Sequence, residues 1–167
     1  MGTLSEQYPI SGFLKVLSLL KKSEPGFILR FVGKVPQNIA DEIRAEISPE
    51  YVDFIPYTNH DEAVRLMIHS SMLLLVIPDH SNNENIVTGK IFEYIASGKP
   101  ILCLGPKNGD AAAILRQYNY GECYSYEDLI NIEKFIVSVI LNSSGRQPRS
   151  DEFSHRNIVK KLVTFLG

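Results

Sequence analysis

Cysteine is nearly absent from this chain, which contains only Cys103 and Cys123. Two cysteines without metal-ligand spacing do not make the disulfide framework of a small secreted domain, so we expect reduced, buried thiols and a cytoplasmic location. Long hydrophobic runs are absent too. No apolar stretch approaches the roughly 20 residues of a membrane-spanning helix, and the first residues lack the segments of a signal peptide. The sequence therefore predicts a soluble domain.

An excess of positive charge is also missing. The 167 residues include 17 Lys and Arg against 19 Asp and Glu, without basic blocks, so no nucleic-acid partner is expected. The four histidines do not fall at metal-ligand spacing, and no metal site is expected. The chain lacks the G-x-G-x-x-G motif that follows the first strand of a dinucleotide-binding domain. It also lacks the acidic cluster that receives the phosphoryl group in a response regulator. These two kinds of domain are therefore ranked last.

Helices and strands alternate along the chain with short connections, the pattern of βα units. Together with an ordinary globular composition, 44% hydrophobic and 22% charged, this predicts a single α/β domain over residues 1–167. Its Rossmann-like, mostly parallel sheet should carry helices on both faces. The predicted strands are 27–32, 52–55, 72–77, 100–104 and 121–126. The predicted helices are 8–22, 38–46, a helix capped by Asn59 or Asp61 that runs to about residue 69, 89–97, 110–117, 127–141 and 151–166.

The segment 87–104 reads V-T-G-K-I-F-E-Y-I-A-S-G-K-P-I-L-C-L and is the most informative about function. It follows an apolar run of strand length and a polar loop, so the order is strand, loop, helix, strand. In an open α/β sheet, ligands bind where loops leave the carboxyl ends of strands, and a helix N-terminus there attracts anions. Thr88, Gly89 and Lys90 are therefore candidates to contact a phosphate.

Glu93 lies one helical turn after Lys90, on the same side of that helix. Gly89 lets a ligand approach the backbone closely, and Lys90 supplies a mobile positive charge, so one face could hold a phosphate and a diol together. The spacing alone fits a second interpretation equally well. Lys90 and Glu93 could form an exposed ion pair worth at most a few tenths of a kcal/mol, with Gly89 serving only as a turn.

These residues resemble a known family. The run T-G-K-I-F-E-Y-I-A-S-G-K-P-I-L looks like the donor-site signature of bacterial group 1 glycosyltransferases with the GT-B fold, in which a helix glutamate holds the ribose of a nucleotide sugar. The resemblance covers nearly the whole chain, in the order of that family's C-terminal, donor-binding domain. It extends through Gly2-Thr3-Leu4, the strand 28–33, the strand and turn 52–57, the helix start 60–63 and the segment 105–115.

The resemblance implies a role for each matching residue. Glu93 would bind the ribose hydroxyls of the donor. The helix start at Thr88, Gly89 and Lys90 would face the diphosphate. The turn that ends at Tyr57 would lie against the nucleobase.

The chain departs from the family pattern in two places. The family often has an additional glutamate near the donor sugar, where this chain has Asn85, eight positions before Glu93. Asn85 is the candidate for the sugar contact. The family also usually carries a basic residue in the loop after the glycine matched by Gly2, but here the first base is Lys15, well inside the next helix. Diphosphate binding would then depend on Lys90 and backbone amides.

By this resemblance the chain is the donor-binding half of a glycosyltransferase. It would bind a nucleoside diphosphate sugar for transfer to a saccharide or lipid-linked acceptor held by a missing N-terminal domain. The family implies a retaining, hexosyltransferase-type reaction in polysaccharide biosynthesis that needs no metal or other cofactor. Membrane-surface association is implied for the full-length enzyme only. The alternative is a non-catalytic Rossmann-like interaction module, which would bind no nucleotide.

The sequence also predicts that the chain is an excised fragment. A domain of this family would begin with a strand that ends at Gly2-Thr3-Leu4, but only Met1 precedes that strand end. We therefore expect an unpaired edge in the sheet. A fragment of this kind should bind the donor without transferring its sugar.

Several other residues have a structural interpretation. Asp110 is expected to cap its helix, and His69 to bond the last carbonyls of the helix before it. Tyr118 and Tyr120 are expected to pack against the core. His60, at a helix start, is left open between a ligand donor and a solvated or capping residue.

Overall fold

The computed structural model describes residues 2–21 and 26–143. Its strands are Gly2–Thr3 (β1), Leu29–Lys34 (β2), Val52–Ile55 (β3), Leu73–Val76 (β4), Ile101–Leu104 (β5) and Gly121–Tyr124 (β6). Its helices are Ser11–Leu20 (α1), Gln37–Ile47 (α2), His60–Ile68 (α3), Lys90–Ser97 (α4), Asp110–Tyr118 (α5) and Leu129–Ser143 (α6). The predicted helix 151–166 lies outside the described residues. None of the helices in the described ranges is long and apolar enough to cross a membrane.

The strands form two parallel three-stranded sheets, in the orders β1-β2-β3 and β4-β5-β6. The α/β class and the parallel pairing are thus confirmed, but the sheet is divided. β1 has two residues and, in the part of the chain that the structure describes, pairs only with the end of β2, where Gly2 lies opposite Gly33. Within the described residues β4 pairs only with β5. At the carboxyl edge the two halves are joined by the main-chain N–H of Asp79, which donates to the carbonyl of Gln7 at 2.7 Å.

Helices cover both faces of the strands, as predicted. On one face α1, α2 and α6 contribute the buried side chains Phe13, Ile43 and Ile132. On the other face α3, α4 and α5 pack around a second cluster that includes Ile91 and Leu115. These apolar stripes fix each helix against the sheet because their burial removes apolar surface from water.

β5 contributes to both clusters because it is the central strand of its sheet. Its four residues are fully buried, with Leu102 and Leu104 facing one cluster and Ile101 and Cys103 the other. Cys103 lies directly opposite Cys123 on β6, and both thiols are free and buried, as expected. A hydrogen bond with Cys123, together with burial, raises the pKa of the Cys103 thiol. These thiols therefore pack as small apolar groups.

Helix ends follow most of the local signals. The side chain of Asn59 caps α3 by accepting a backbone hydrogen bond at 2.9 Å, and the His69 ring bonds a carbonyl of the same helix, as predicted. Gly98 ends α4 in the left-handed conformation, with φ 70°. The prediction that Asp110 is a cap is wrong. Gly109 is the N-cap residue, and Asp110 is the first helical residue, where its charge still complements the helix dipole.

Several element boundaries differ from prediction. α1 begins at Ser11 instead of residue 8, because the residue before Pro9 disfavours the helical conformation. β2 is shifted toward its C-terminus and ends at Lys34. β6 ends at Tyr124, so Tyr126 belongs to the following connection, where its hydroxyl donates to the carbonyl of Ile77, just after β4.

Candidate functional site

The carboxyl ends of β1, β2 and β3 meet at one edge because the strands are parallel. A cavity of about 140 Å³ lies at this edge. This volume is comparable to cavities that accept a benzene-sized ring. Its lining consists of Gly2, Val32, Gly33, Tyr57, Thr58, His60 and Ala63. The cavity therefore borders the turn after β3 and the first residues of α3.

Tyr57 stands out of the turn after β3 with 91% of its surface exposed. An exposed phenol ring presents an apolar face on which an aromatic ligand can stack. His60 lines the same cavity. The Ile55-Pro56-Tyr57 turn thus borders a space of ring size.

Gly33 allows β1 to approach β2 closely at the cavity. Its φ of +123° is one that other residues rarely adopt, and a Cβ there would lie 2.1 Å from the Gly2 carbonyl oxygen. Gly33 ends the strand 28–33 of the family resemblance, and its position on the cavity was not predicted. A glycine at the end of a strand was the available signal.

Lys90 connects α4 to this edge of the molecule. Its Nζ lies against Gly2, so close that a Cβ on Gly2 would be 2.5 Å from it. The side chain is half-buried, and burial lowers the pKa of Lys90 while the charge of Glu93 opposes that shift. Lys90 makes no hydrogen bond or direct ion pair with a described residue, so the exposed Lys90–Glu93 pair is not formed. Its ammonium donors are available to a ligand.

The start of α4 presents further unpaired donors. The backbone N–H groups of Thr88, Gly89 and Lys90 donate to no residue in the described ranges. Thr88 Oγ1 is buried and has no hydrogen-bond partner there either. A Cβ on Gly89 would meet nothing within 4 Å, and its φ of −55° suits any residue. The fold therefore does not require glycine at this position, but glycine leaves open space beside groups that an anion can satisfy.

Glu93 is half-buried on α4, one turn after Lys90. The pKa of Tyr94 is raised to about 12, mainly by burial and to a smaller extent by the charge of Glu93. The carboxylate makes no hydrogen bond with the part of the chain that the structure describes. Its oxygens can therefore accept from the hydroxyls of a ligand.

Asn85 lies apart from this cavity, at the carboxyl edge of the other sheet. It ends a 3-10 turn, Asn83–Asn85, in the loop 79–85 that follows β4 (the β4 loop), and its side chain is exposed. The loop 105–109 that follows β5 (the β5 loop) packs closely on it, since a Cβ on Gly109 would lie 2.8 Å from the Glu84 carbonyl oxygen. The structure thus places Tyr57 and Lys90 at one half of the edge and Asn85 at the other.

No protein-family model matches the chain, and no curated protein sequence matches it. Among the solved structures that share its fold are WaaG, TarM and Alr3699/HepE of Anabaena. WaaG, a glycosyltransferase involved in lipopolysaccharide biosynthesis, aligns with a TM-score of 0.63 and 15% identity, over 86% of this chain and 38% of WaaG. TarM aligns with a TM-score of 0.57 and 14% identity, over 99% of this chain and 34% of TarM. Alr3699/HepE of Anabaena, solved in complex with UDP, aligns with a TM-score of 0.56 and 18% identity, over 99% of this chain and 47% of HepE.

These alignments confirm the resemblance at the level of fold. The chain has the Rossmann-like α/β fold of one part of these GT-B glycosyltransferases. It spans between 34% and 47% of the length of the three matching structures.

Proposed function

We propose that this chain is the donor-binding domain of a glycosyltransferase and binds a nucleoside diphosphate sugar at the carboxyl edge of its sheets. The observation that carries the proposal is the position of the Lys90 amine against Gly2, beside the cavity that the exposed Tyr57 borders. The shared fold supports it, because one of the matching structures holds UDP.

In this proposal Tyr57 and Glu93 hold the nucleoside. The base stacks on the Tyr57 ring over the small cavity, and Glu93 accepts hydrogen bonds from both ribose hydroxyls. A carboxylate suits this task because it offers two acceptor oxygens and no donor. Both groups lie on regular elements or tight turns, which restricts their motion.

The diphosphate contacts the start of α4. Lys90 supplies a full positive charge, and the backbone N–H groups of Thr88 and Gly89 add donors at the positive end of the helix dipole. The buried hydroxyl of Thr88 gains a partner when the ligand binds. The same groups stabilise the negative charge that develops on the departing diphosphate, so no metal ion is required for this step.

The donor sugar lies toward the β4 loop and Asn85. Transfer is of the retaining, hexosyltransferase type. It takes place where this domain meets an N-terminal domain that binds a saccharide or lipid-linked acceptor, in the cytoplasm or at the membrane surface. Catalysis arises from positioning and electrostatic stabilisation, without a covalent nucleophile in this half. The chain alone should therefore bind the donor without transferring its sugar.

Calorimetry tests the proposal directly. We expect either UDP or GDP to bind the full 167-residue chain. The corresponding monophosphate should bind at least about 10-fold more weakly, because it lacks the phosphate that Lys90 contacts. EDTA should leave the affinity unchanged. If neither UDP nor GDP gives a binding signal, the result would contradict the proposal and favour the non-catalytic interaction module.

Replacing Gly89 with alanine distinguishes an effect on stability from an effect on ligand binding. The added methyl meets open space, and the backbone angle suits alanine, so the free energy of unfolding should stay the same or rise by up to about 1 kcal/mol. Affinity for the nucleoside diphosphate should fall about 5- to 10-fold, because the methyl occupies space beside the anion. Gly26→Ala is the matched control, since a Cβ on Gly26 also meets nothing within 4 Å. Equal affinities for both variants would show that the anion does not approach Gly89.

A further inference from the structure

Tyr126 links the connection between β6 and α6 to the β4 loop. Its hydroxyl donates to the carbonyl of Ile77 at 2.9 Å, at the end of β4, and accepts from Asn83 Nδ2 at 3.2 Å. Asn83 is the first residue of the 3-10 turn that ends at Asn85. One phenol thus contacts both the strand from which the β4 loop departs and the turn at its far end.

The same connection also supports the β5 loop. Asp128 pairs with the ammonium of Lys107, and this hydrogen bond lowers the pKa of the Asp128 carboxyl. Arg116 donates to the Lys107 carbonyl at 3.1 Å. Because the β5 loop packs on the β4 loop at Gly109, the two loops and the β6–α6 connection form one supported unit.

We infer that Tyr126 is a positioning residue for the donor sugar, whose hydroxyl fixes the β4 loop and with it Asn85. The inference rests on the proposed function, in which that loop faces the sugar. The two bonds use the single donor and an acceptor of the hydroxyl, so phenylalanine removes both without changing the ring.

The Tyr126 hydroxyl is well suited to this role. Burial and the nearby charge of Asp79 raise the pKa of Tyr126 to about 12, so the hydroxyl remains protonated and donates to Ile77 throughout the physiological range. The side chain is also part of the apolar cluster of α1, α2 and α6, which holds its ring in place.

Loss of the hydroxyl should affect the sugar more than the nucleotide. The groups proposed to hold the nucleotide, Tyr57, Lys90 and Glu93, lie on the turn after β3 and on α4, and none of them bonds Tyr126. Only Asn85 belongs to the loop that Tyr126 fixes. A merely structural residue would lower both affinities together.

The experiment compares Tyr126→Phe with Tyr124→Phe. Tyr124 lies on β6 next to Phe135, and its hydroxyl makes no hydrogen bond with a described residue. Calorimetry on the full chain uses UDP and UDP-glucose, and GDP and GDP-mannose as the second pair. Hydrogen exchange follows the backbone amides 79–86.

For Tyr126→Phe we expect faster exchange in the β4 loop and a 3- to 10-fold loss of affinity for the nucleotide sugar, of about the size that one or two lost hydrogen bonds give. Affinity for the free nucleotide should change less than about 2-fold, and Tyr124→Phe should behave as wild type.

The outcomes separate the two proposals. If the wild-type chain binds no nucleotide, the proposed function fails and the role of Tyr126 toward a sugar fails with it. If wild type binds but Tyr126→Phe lowers both affinities equally, or leaves exchange in 79–86 unchanged, the inference alone is overturned. Should Tyr126→Phe fail to fold, Asn83→Ala carries the same test, because it removes the bond to the turn and leaves Tyr126 bonded to Ile77.

Discussion

Replacing Lys90 with glutamine is expected to weaken binding of the nucleoside diphosphate about 10- to 100-fold, the range that loss of charge-assisted hydrogen bonds to a phosphate produces. The side chain is half-buried against Gly2 and forms no hydrogen bond or direct ion pair with a described residue, so its ammonium is available to the phosphate. Isothermal titration with UDP and GDP measures the loss.

The pH dependence of nucleotide binding tests whether the charge of Lys90 contributes to the affinity. Because burial lowers the pKa of Lys90 below its ordinary 10.5, wild-type affinity should fall as pH rises through that lowered value, before an ordinary lysine would titrate. Lys90→Arg keeps its charge and should lose this dependence. As pH rises, the free energy of unfolding should change in the opposite direction to the affinity. The unfolded chain binds the proton more tightly, so the wild type gains stability relative to Lys90→Gln as pH rises toward 10.5.

Lys99→Gln provides the control for net charge. Lys99 follows the other end of α4, and burial lowers its pKa as well, but it lies away from the helix start. We expect the affinity of the Lys99→Gln variant for the nucleoside diphosphate to remain within about 2-fold of wild type. If Lys99→Gln and Lys90→Gln lose the same affinity, the effect is a general one of charge and Lys90 does not contact the phosphate.

Replacing Glu93 with glutamine should weaken nucleotide binding by about 10-fold, because an amide offers one acceptor oxygen in place of a carboxylate that takes two hydroxyls. The melting temperature should stay nearly unchanged, since Glu93 makes no hydrogen bond or ion pair with a described residue. Thermal unfolding and calorimetry on the same preparation separate the two effects.

A nucleotide without the 2′-hydroxyl makes this test specific. Wild type should bind UDP or GDP more tightly than the 2′-deoxy form, and Glu93→Gln should largely lose that preference. Glu133→Gln, an equal charge change at an exposed position on α6, should retain it. A Glu93→Gln variant that discriminates as wild type does would show that this carboxylate does not contact the ribose.

Local sequence signals predicted much of the fold because the decisive interactions are local. The strand Val52–Ile55 lies where its apolar run predicted it, and Gly98 ends α4 as its freedom at positive φ suggests. The continuous apolar run of β5 indicated a strand covered on both faces, which is how it is buried. The start of α1 was not predictable in this way, because Pro9 is a single neighbour that the periodicity does not represent, and the cap of α5 was assigned to Asp110 although Gly109 holds that position.

The candidate site was predictable only in part. Thr88, Gly89 and Lys90 follow one another in sequence, so their place at a helix start could be read directly. The cavity is different, because its lining comes from β1, β2, the turn after β3 and α3, and Gly2 and Gly33 meet through strand pairing. Tyr126 could not be identified either, since its two partners are distant in sequence and no periodic pattern relates them.

The hydrogen bond from the Asp79 amide to the Gln7 carbonyl joins the two halves of the carboxyl edge through main-chain atoms alone. Side-chain replacements at either position leave this bridge intact, and proline at position 79 is the substitution that removes its donor. This contact between the halves therefore does not depend on which side chains occupy positions 7 and 79. In the proposed function, residues that contact the base or the sugar can therefore change without removing this contact between the two halves.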